Sequence, residues 1–191
     1  HTPTSGQILF NGEDITDLSI TERAKRGISF AFQQPVHFKG LTVKDLVNIA
    51  AGKPMSVSDI CDILSEVGLC AREYIDREVN SSLSGGELKR IEIATILARG
   101  TQLSIFDEPE AALSPQRQLT LLMQIYSCAK EGAQFIIVTH SPILLGIPDA
   151  DIYCFDNGRI HLCEYEDTES YQITEMFINN RQMLLDKLLT D

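Results

Sequence analysis

Short apolar runs, each closed by polar residues and followed by a helix-like stretch, constrain this chain more than any other feature. Leu103 to Phe106 ends at Asp107-Glu108-Pro109, and Phe135 to Val138, apolar and β-branched, ends at Thr139-His140-Ser141-Pro142. Ile28 to Phe32 ends at Gln33-Gln34-Pro35, where the proline breaks the run. Between them, Thr42 to Ala50, Ser58 to Val67, Glu87 to Arg99 and Gln116 to Glu131 carry apolar residues at helical spacing. Strands that alternate with helices predict an α/β fold with a parallel sheet, in which Phe135–Val138 reads as a central strand. Ser58 and Ser141 are the expected helix caps, Pro142 the first residue of its helix, and Gly68, Gly100 and Gly132 the stops. Leu119, Leu122, Tyr126 and Ala129 define the expected buried face of the Gln116–Glu131 helix.

At the ends of the chain, Gln7 to Phe10 reads as a strand before an Asn11-Gly12 turn. Ile152 to Phe155 and Arg159 to Cys163 flank Asp156-Asn157-Gly158 as a hairpin. Tyr171 to Leu189 reads as a helix with Ile173, Phe177, Leu184 and Leu188 on one face. With 191 residues and no linker or repeat, the expectation is one domain over 1–191. A helical insertion from about Thr42 to Asp76 belongs to a helical subdomain of about 42–100.

Composition narrows the function. Sixteen basic against 27 acidic residues give a net charge of −11. Such a surface repels phosphodiester backbones, and no basic stripe offsets it, so nucleic acid is not an expected partner. No run approaches about 18 apolar residues, so no membrane insertion is expected. Five widely spaced cysteines, without a C-x-x-C pair, read as reduced thiols packed as small hydrophobes, which fits a cytoplasmic protein.

Three segments suit phosphate chemistry. Leu83-Ser84-Gly85-Gly86-Glu87 opens a helix with two glycines, where backbone N–H groups and the helix dipole can receive an anion. The same residues equally read as a capping box of Ser84 with Glu87. Asp107 and Glu108 fall at the carboxyl edge of a sheet, where open α/β folds bind ligands. There Asp107 could hold Mg²⁺ through water and Glu108 could polarise an attacking water, although a solvated turn explains the pair as simply. His140, after the next strand, could stabilise charge on a γ-phosphate, or merely bond within its loop. Gln33 could serve the metal or the water, and by itself signals nothing.

Order changes the weight of these parts. Strand–Gln, helical insertion, LSGGE–helix, strand–Asp-Glu, strand–His is similar to the ATP-binding cassette (ABC) ATPases, along nearly the whole chain. Phe32-Gln33-Gln34-Pro35 resembles the Q-loop of that family, Leu83 to Glu87 its signature, Ile105 to Pro109 its Walker B segment, and His140 its switch histidine. The resemblance implies a P-loop NTPase-like α/β domain that binds and hydrolyses ATP with Mg²⁺. Glu108, His140 and Gln33 would be catalytic, and Asp107 and Gln33 would serve the metal through water. Leu83, Ser84, Gly85, Gly86 and Glu87 would meet the ATP held by a second ABC subunit, packed head to tail.

Arg23 to Ile28, FAFQQPVHFKGLTV and LSGGELKRIEIATILAR resemble the ATPase of the Suf/Sms iron–sulfur cluster assembly machinery, whose partner is a scaffold protein. From Glu110 on, EAALSPQRQL, FIIVTHSPILL and YEDTESYQITEMF resemble stand-alone cassette/AAA-like ATPases, and the two similarities meet at Asp107 to Ala111. A transporter subunit working with a permease, a stand-alone cytosolic ATPase and a non-catalytic module lacking its phosphate loop are the alternative readings. Two departures stand out. Ala112-Leu113-Ser114 ends in serine where most of the family has aspartate, which weakens communication across a dimer. No G-x-x-x-x-G-K-[ST] occurs. In the family that phosphate loop precedes a segment like Pro3-Thr4-Ser5-Gly6, and the chain starts with His1, so truncation at the N-terminus is the expectation. The 191-residue chain alone should therefore bind ATP·Mg²⁺ poorly, lacking the lysine and the N–H cradle. Calorimetric titration showing micromolar affinity would overturn that placement of the loop.

Overall fold

The computed structural model describes residues 3–34, 36–111, 113–156 and 158–189. A small antiparallel ribbon comes first, β1 (Leu9–Phe10) and β2 (Glu13–Asp14). Asn11 and Gly12 turn it at φ 52° and 80°, the two positive angles that suit a tight hairpin. The strand expected over Gln7–Phe10 is shorter: at Ile8 the N–H bonds the Thr16 hydroxyl instead of a backbone carbonyl. A helix, α1 (Ile20–Lys25), follows behind a Ser19/Glu22 capping box.

The sheet that organises the rest consists of β3 (Ile28–Ala31), β4 (Leu103–Asp107) and β5 (Gln134–Val138), parallel and in the spatial order β3-β4-β5. Its register aligns Ala31 with Phe106 and Phe106 with Ile137. Among the described residues the middle position belongs to β4, whose Ser104 and Phe106 are buried. Among the described residues β5 is paired on one side, and it exposes Ile136 and Val138.

Between β3 and β4 lie α2 (Val43–Ala51), α3 (Val57–Glu66), α4 (Ala71–Tyr74) and α5 (Gly85–Arg99). Thr42 and Asp45 form the capping box of α2. The cap of α3 is Ser56, whose hydroxyl accepts from the Asp59 N–H, two residues before the expected Ser58. Helix α5 packs against α2, α3 and β3. It buries Leu88, Ile91, Ile93, Ala94 and Ile96, so apolar contact surrounds it, as expected of a helix inside a core. Val43, Val47, Ile60 and Leu64 face it, each worth about 1.5–3 kcal/mol of apolar burial.

After β4 come α6 (Pro115–Lys130), β5 and α7 (Pro142–Leu145), with Ser141 capping α7 as expected. The buried face of α6 is Leu121 and Ile125, whereas Leu119 is exposed, so the expected stripe is rotated. Strands β6 (Ile152–Asp156) and β7 (Arg159–Cys163) form the expected hairpin, although Asn157 of its turn lies outside the described residues. Ile152 pairs with Cys163 and Cys154 with His161, which makes Cys154 and Cys163 diagonal neighbours on one face. They are disulfide-bonded with Cα atoms 6.5 Å apart, which corrects the expectation of thiols throughout. Cys61, Cys70 and Cys128 are free.

The last helix, α8 (Glu169–Leu189), follows a 3-10 turn (Tyr165–Asp167) and leaves helical geometry at Asn180. It rests on that turn and on α7, with Tyr171 edge-on to Tyr165. Ile173, Phe177 and Leu188 of its expected buried face are exposed, because amphipathic spacing reports a face without its partner. No helix among the described residues is long and apolar enough to cross a membrane. The rotated face of α6 is checked by truncation. Leu121→Ala should cost about 2–5 kcal/mol and Leu119→Ala well under about 1 kcal/mol in denaturant unfolding. Equal losses would restore the face read from the sequence.

Candidate nucleotide site

Parallel pairing brings the ends of β3, β4 and β5 to one edge of the sheet, and with them Gln33, Asp107, Glu108 and His140. The Gln33 side-chain amide donates to Glu108 Oε2 at 2.7 Å, across 75 residues of sequence. Glu108 sits at φ 43°, a left-handed angle that costs a non-glycine residue on the order of 1–3 kcal/mol. Backbone bonds over-determine it. Its N–H donates to Val138 O at 2.9 Å, and its carbonyl accepts from the Ala111 N–H at 3.0 Å. The ladder thus runs one residue past β4 while the carboxylate turns toward Gln33.

Glu110 ties the histidine loop to this edge, a role the sequence reading missed. Its Oε1 accepts from the Thr139 hydroxyl at 2.6 Å and from the His140 N–H at 3.0 Å. Ser141 completes the loop, accepting from the N–H groups of Ile143 and Leu144 and bonded to Gln118 Oε1 at 2.6 Å. The His140 residue itself is exposed. A glutamate two residues beyond Asp-Glu is a weak signal in a sequence, since its partner lies 29 residues on. Of the serine-ended segment, Ala112 lies outside the described residues, while Leu113 is buried and Ser114 precedes α6.

Leu83 to Glu87 open α5 and make their bonds within the helical segment rather than to the strand ends. The capping box is formed: the Ser84 N–H donates to Glu87 Oε2 at 2.6 Å, and the Glu87 N–H donates to the Ser84 hydroxyl at 3.3 Å. The Tyr74 hydroxyl also donates to Glu87, and Arg77 lies 3.6 Å away. The Tyr74 bond, then the Ser84 bonds and the Arg77 charge, hold the Glu87 carboxyl down at about 2. Leu83 is buried, whereas Ser84 and Gly85 are exposed. Among the described residues nothing accepts from the N–H groups of Gly85 and Gly86.

The donor set at the sheet edge fits magnesium. Asp107 offers a half-buried carboxylate. Among the described residues the Gln33 side-chain carbonyl has no donor, while its amide holds Glu108. Such hard oxygen donors, one or two from the protein with waters and phosphates completing the shell, are what Mg²⁺ takes.

The chain matches the ABC transporter family over residues 1–111, and it belongs to that family. An uncharacterised ABC transporter ATP-binding protein of Methanocaldococcus jannaschii is 35% identical over 147 residues, covering 73% of this chain and 58% of its own length. The probable ATP-dependent transporter ycf16 of Antithamnion sp. is 32% identical over 170 residues, covering 82% of this chain and 67% of its own. The thiamine import ATP-binding protein ThiQ of Brucella abortus biovar 1 is 32% identical over 165 residues, covering 83% and 66%. The chain therefore spans 58% to 67% of the length of these relatives. Among solved structures, CbiO1 of Clostridium perfringens, part of the ABC transporter complex CbiONQ, superposes with a TM-score of 0.67 at 23% identity, over 96% of this chain and 76% of its own. A bacterial Atm1-family ABC exporter with ATP bound gives 0.70 at 22% identity, over 93% of this chain and 32% of its own. These two likenesses bear on the fold, the α/β arrangement of an ABC ATPase.

The Glu87 cluster has a pH consequence. Its folded pKa is depressed from 4.5 to about 2, so the stability it contributes is complete above the unfolded value and is lost as pH falls from about 4.5 toward 2. Tyr74→Phe removes the largest cause and should flatten that part of the stability–pH curve. An identical acid limb in the variant would separate Tyr74 from the titration of Glu87.

Proposed function

We propose that this chain forms the catalytic face of an ATP-hydrolysing ABC subunit. The observation that carries the reading is the Gln33–Glu108 bond at the sheet edge that also bears Asp107. Glu108 accepts a proton from water while that water attacks the γ-phosphorus, and the bond to the β-phosphate oxygen breaks to release ADP. Gln33 orients the Glu108 carboxylate, and Asp107 and Gln33 would hold Mg²⁺ through water, which when bound would neutralise charge on the phosphate oxygens. His140, on a loop fixed by Glu110, meets the γ-phosphate. Ser84, Gly85 and Gly86 offer hydroxyl and N–H groups to ATP carried by a second, head-to-tail subunit.

A soluble, cytoplasmic ATPase of iron–sulfur cluster assembly, with a scaffold partner, is the reading we favour. It rests on the Arg23–Val43 and Leu83–Arg99 resemblance to Suf/Sms ATPases. Similarity to ThiQ and CbiO1 supports the second reading, a transporter subunit that works with a permease. The catalytic assignment is tested in the protein as its gene encodes it. Glu108→Gln should keep ATP binding and lower turnover by on the order of 10²-fold or more. Hydrolysis at the parent rate would remove Glu108 from the role of base.

A further inference from the structure

Lys89 is 0% exposed, on a helix otherwise buried through apolar residues. Its ammonium donates to the Phe32 carbonyl and lies 3.2 Å from Glu92 Oε2. The other oxygen of that carboxylate, Oε1, accepts from the Phe32 N–H at 3.2 Å. One ion pair of α5 therefore holds both polar groups of a single residue. The ladder with β4 ends at Ala31, opposite Phe106. Beyond that point, among the described residues, no strand partner holds the Phe32 backbone, and the ion pair supplies one for its N–H and one for its carbonyl. The next residue is Gln33, whose amide holds Glu108.

Stability alone gives a poor account of this arrangement. A buried ion pair is often matched or bettered by apolar residues of similar volume, because desolvating two charges offsets their attraction. An apolar pair would fill the space between α5 and β3 but could not bond a peptide. Placing a cation beside a carbonyl and a carboxylate beside the N–H of the same residue fixes where that residue leaves the sheet.

We infer that Lys89 and Glu92 are positioning residues that clamp the Phe32 backbone and so set Gln33 against Glu108. The helix that begins with the Ser84–Glu87 box thereby also fixes the first residue beyond β3. The part of this inference that concerns turnover rests on the proposed hydrolysis, whereas the clamp itself can be read without it.

The test uses the protein as its gene encodes it, with the paired replacement Lys89→Met/Glu92→Leu and the background Gln33→Ala. Thermal melts come first. A normal melt is expected, and should the double variant melt early, Glu92→Met, which removes the acceptor of the Phe32 N–H and keeps most of the volume, takes its place. Amide exchange at Phe32, whose N–H loses its acceptor, should then rise by about fivefold or more. The kcat for ATP should fall by on the order of 10-fold to 100-fold with KM within about twofold, the pattern of a displaced reacting group. In the Gln33→Ala background the same replacement should add little, because the clamp acts through Gln33. Unchanged exchange overturns the clamp, and a loss of kcat that adds in full to that of Gln33→Ala overturns its action through Gln33. A parent protein without turnover would sink the hydrolase reading instead, and the exchange measurement would still decide the clamp.

Discussion

Parallel pairing of β3, β4 and β5 is the constraint on which the site depends. An antiparallel neighbour would send alternate strand ends to opposite edges. The observed register sets Ala31, Phe106 and Ile137 in one row, so the residues just beyond them share one rim. Residues 33, 108 and 140 are scattered in sequence, yet the ladder brings them to that rim without a long loop. Phe106, buried and edge-on to Phe135 at 5.7 Å, anchors the row from below. The strained backbone of Glu108 is tolerable because the ladder bond to Val138 continues through it.

The strand-ending motifs were legible in the sequence because each joins an apolar run to a polar break within a few residues. Helix starts were legible where the cap and its partner stand three residues apart, as at Ser84 and Glu87. What stayed hidden depends on distant partners. Leu119 and Leu121 are equally apolar, and which one turns inward is decided by the sheet and helices around α6. Among the described residues β4 holds the middle place of the β3-β4-β5 order, which the apolar run of β5 does not reveal. The Cys154–Cys163 bond follows from hairpin register, which spacing alone does not fix.

The charged side chains that bond the loops at the strand ends were the least legible of all. Glu110, Lys89 and Glu92 are charged residues of the kind that usually marks a solvated face. Lys89 and Glu92, three apart on a helix, look like an ordinary surface pair. Only the placement of α5 across the end of β3 turns them toward a backbone. Glu110 likewise has no meaning until β5 is laid beside β4, which carries Thr139 and His140 to its carboxylate. Positioning groups of this sort belong to the packing of elements rather than to any one segment.

Capping and anion recognition at Ser84 to Glu87 need not compete. The Glu87 carboxylate is consumed inward, by the Ser84 N–H, the Tyr74 hydroxyl and the nearby Arg77 charge. With its pKa held at about 2 it stays ionised, and its charge is directed into the helical segment. That leaves Ser84 and Gly85 on the surface, with the N–H groups of Gly85 and Gly86 unspent among the described residues. The cap fixes the helix start in place, and a fixed start is what a preorganised anion site requires. A carboxylate aimed outward would repel phosphate at the same N-terminus. The inward turn of Glu87, held by Tyr74 from α4, keeps the cap compatible with the anion role proposed for the same segment.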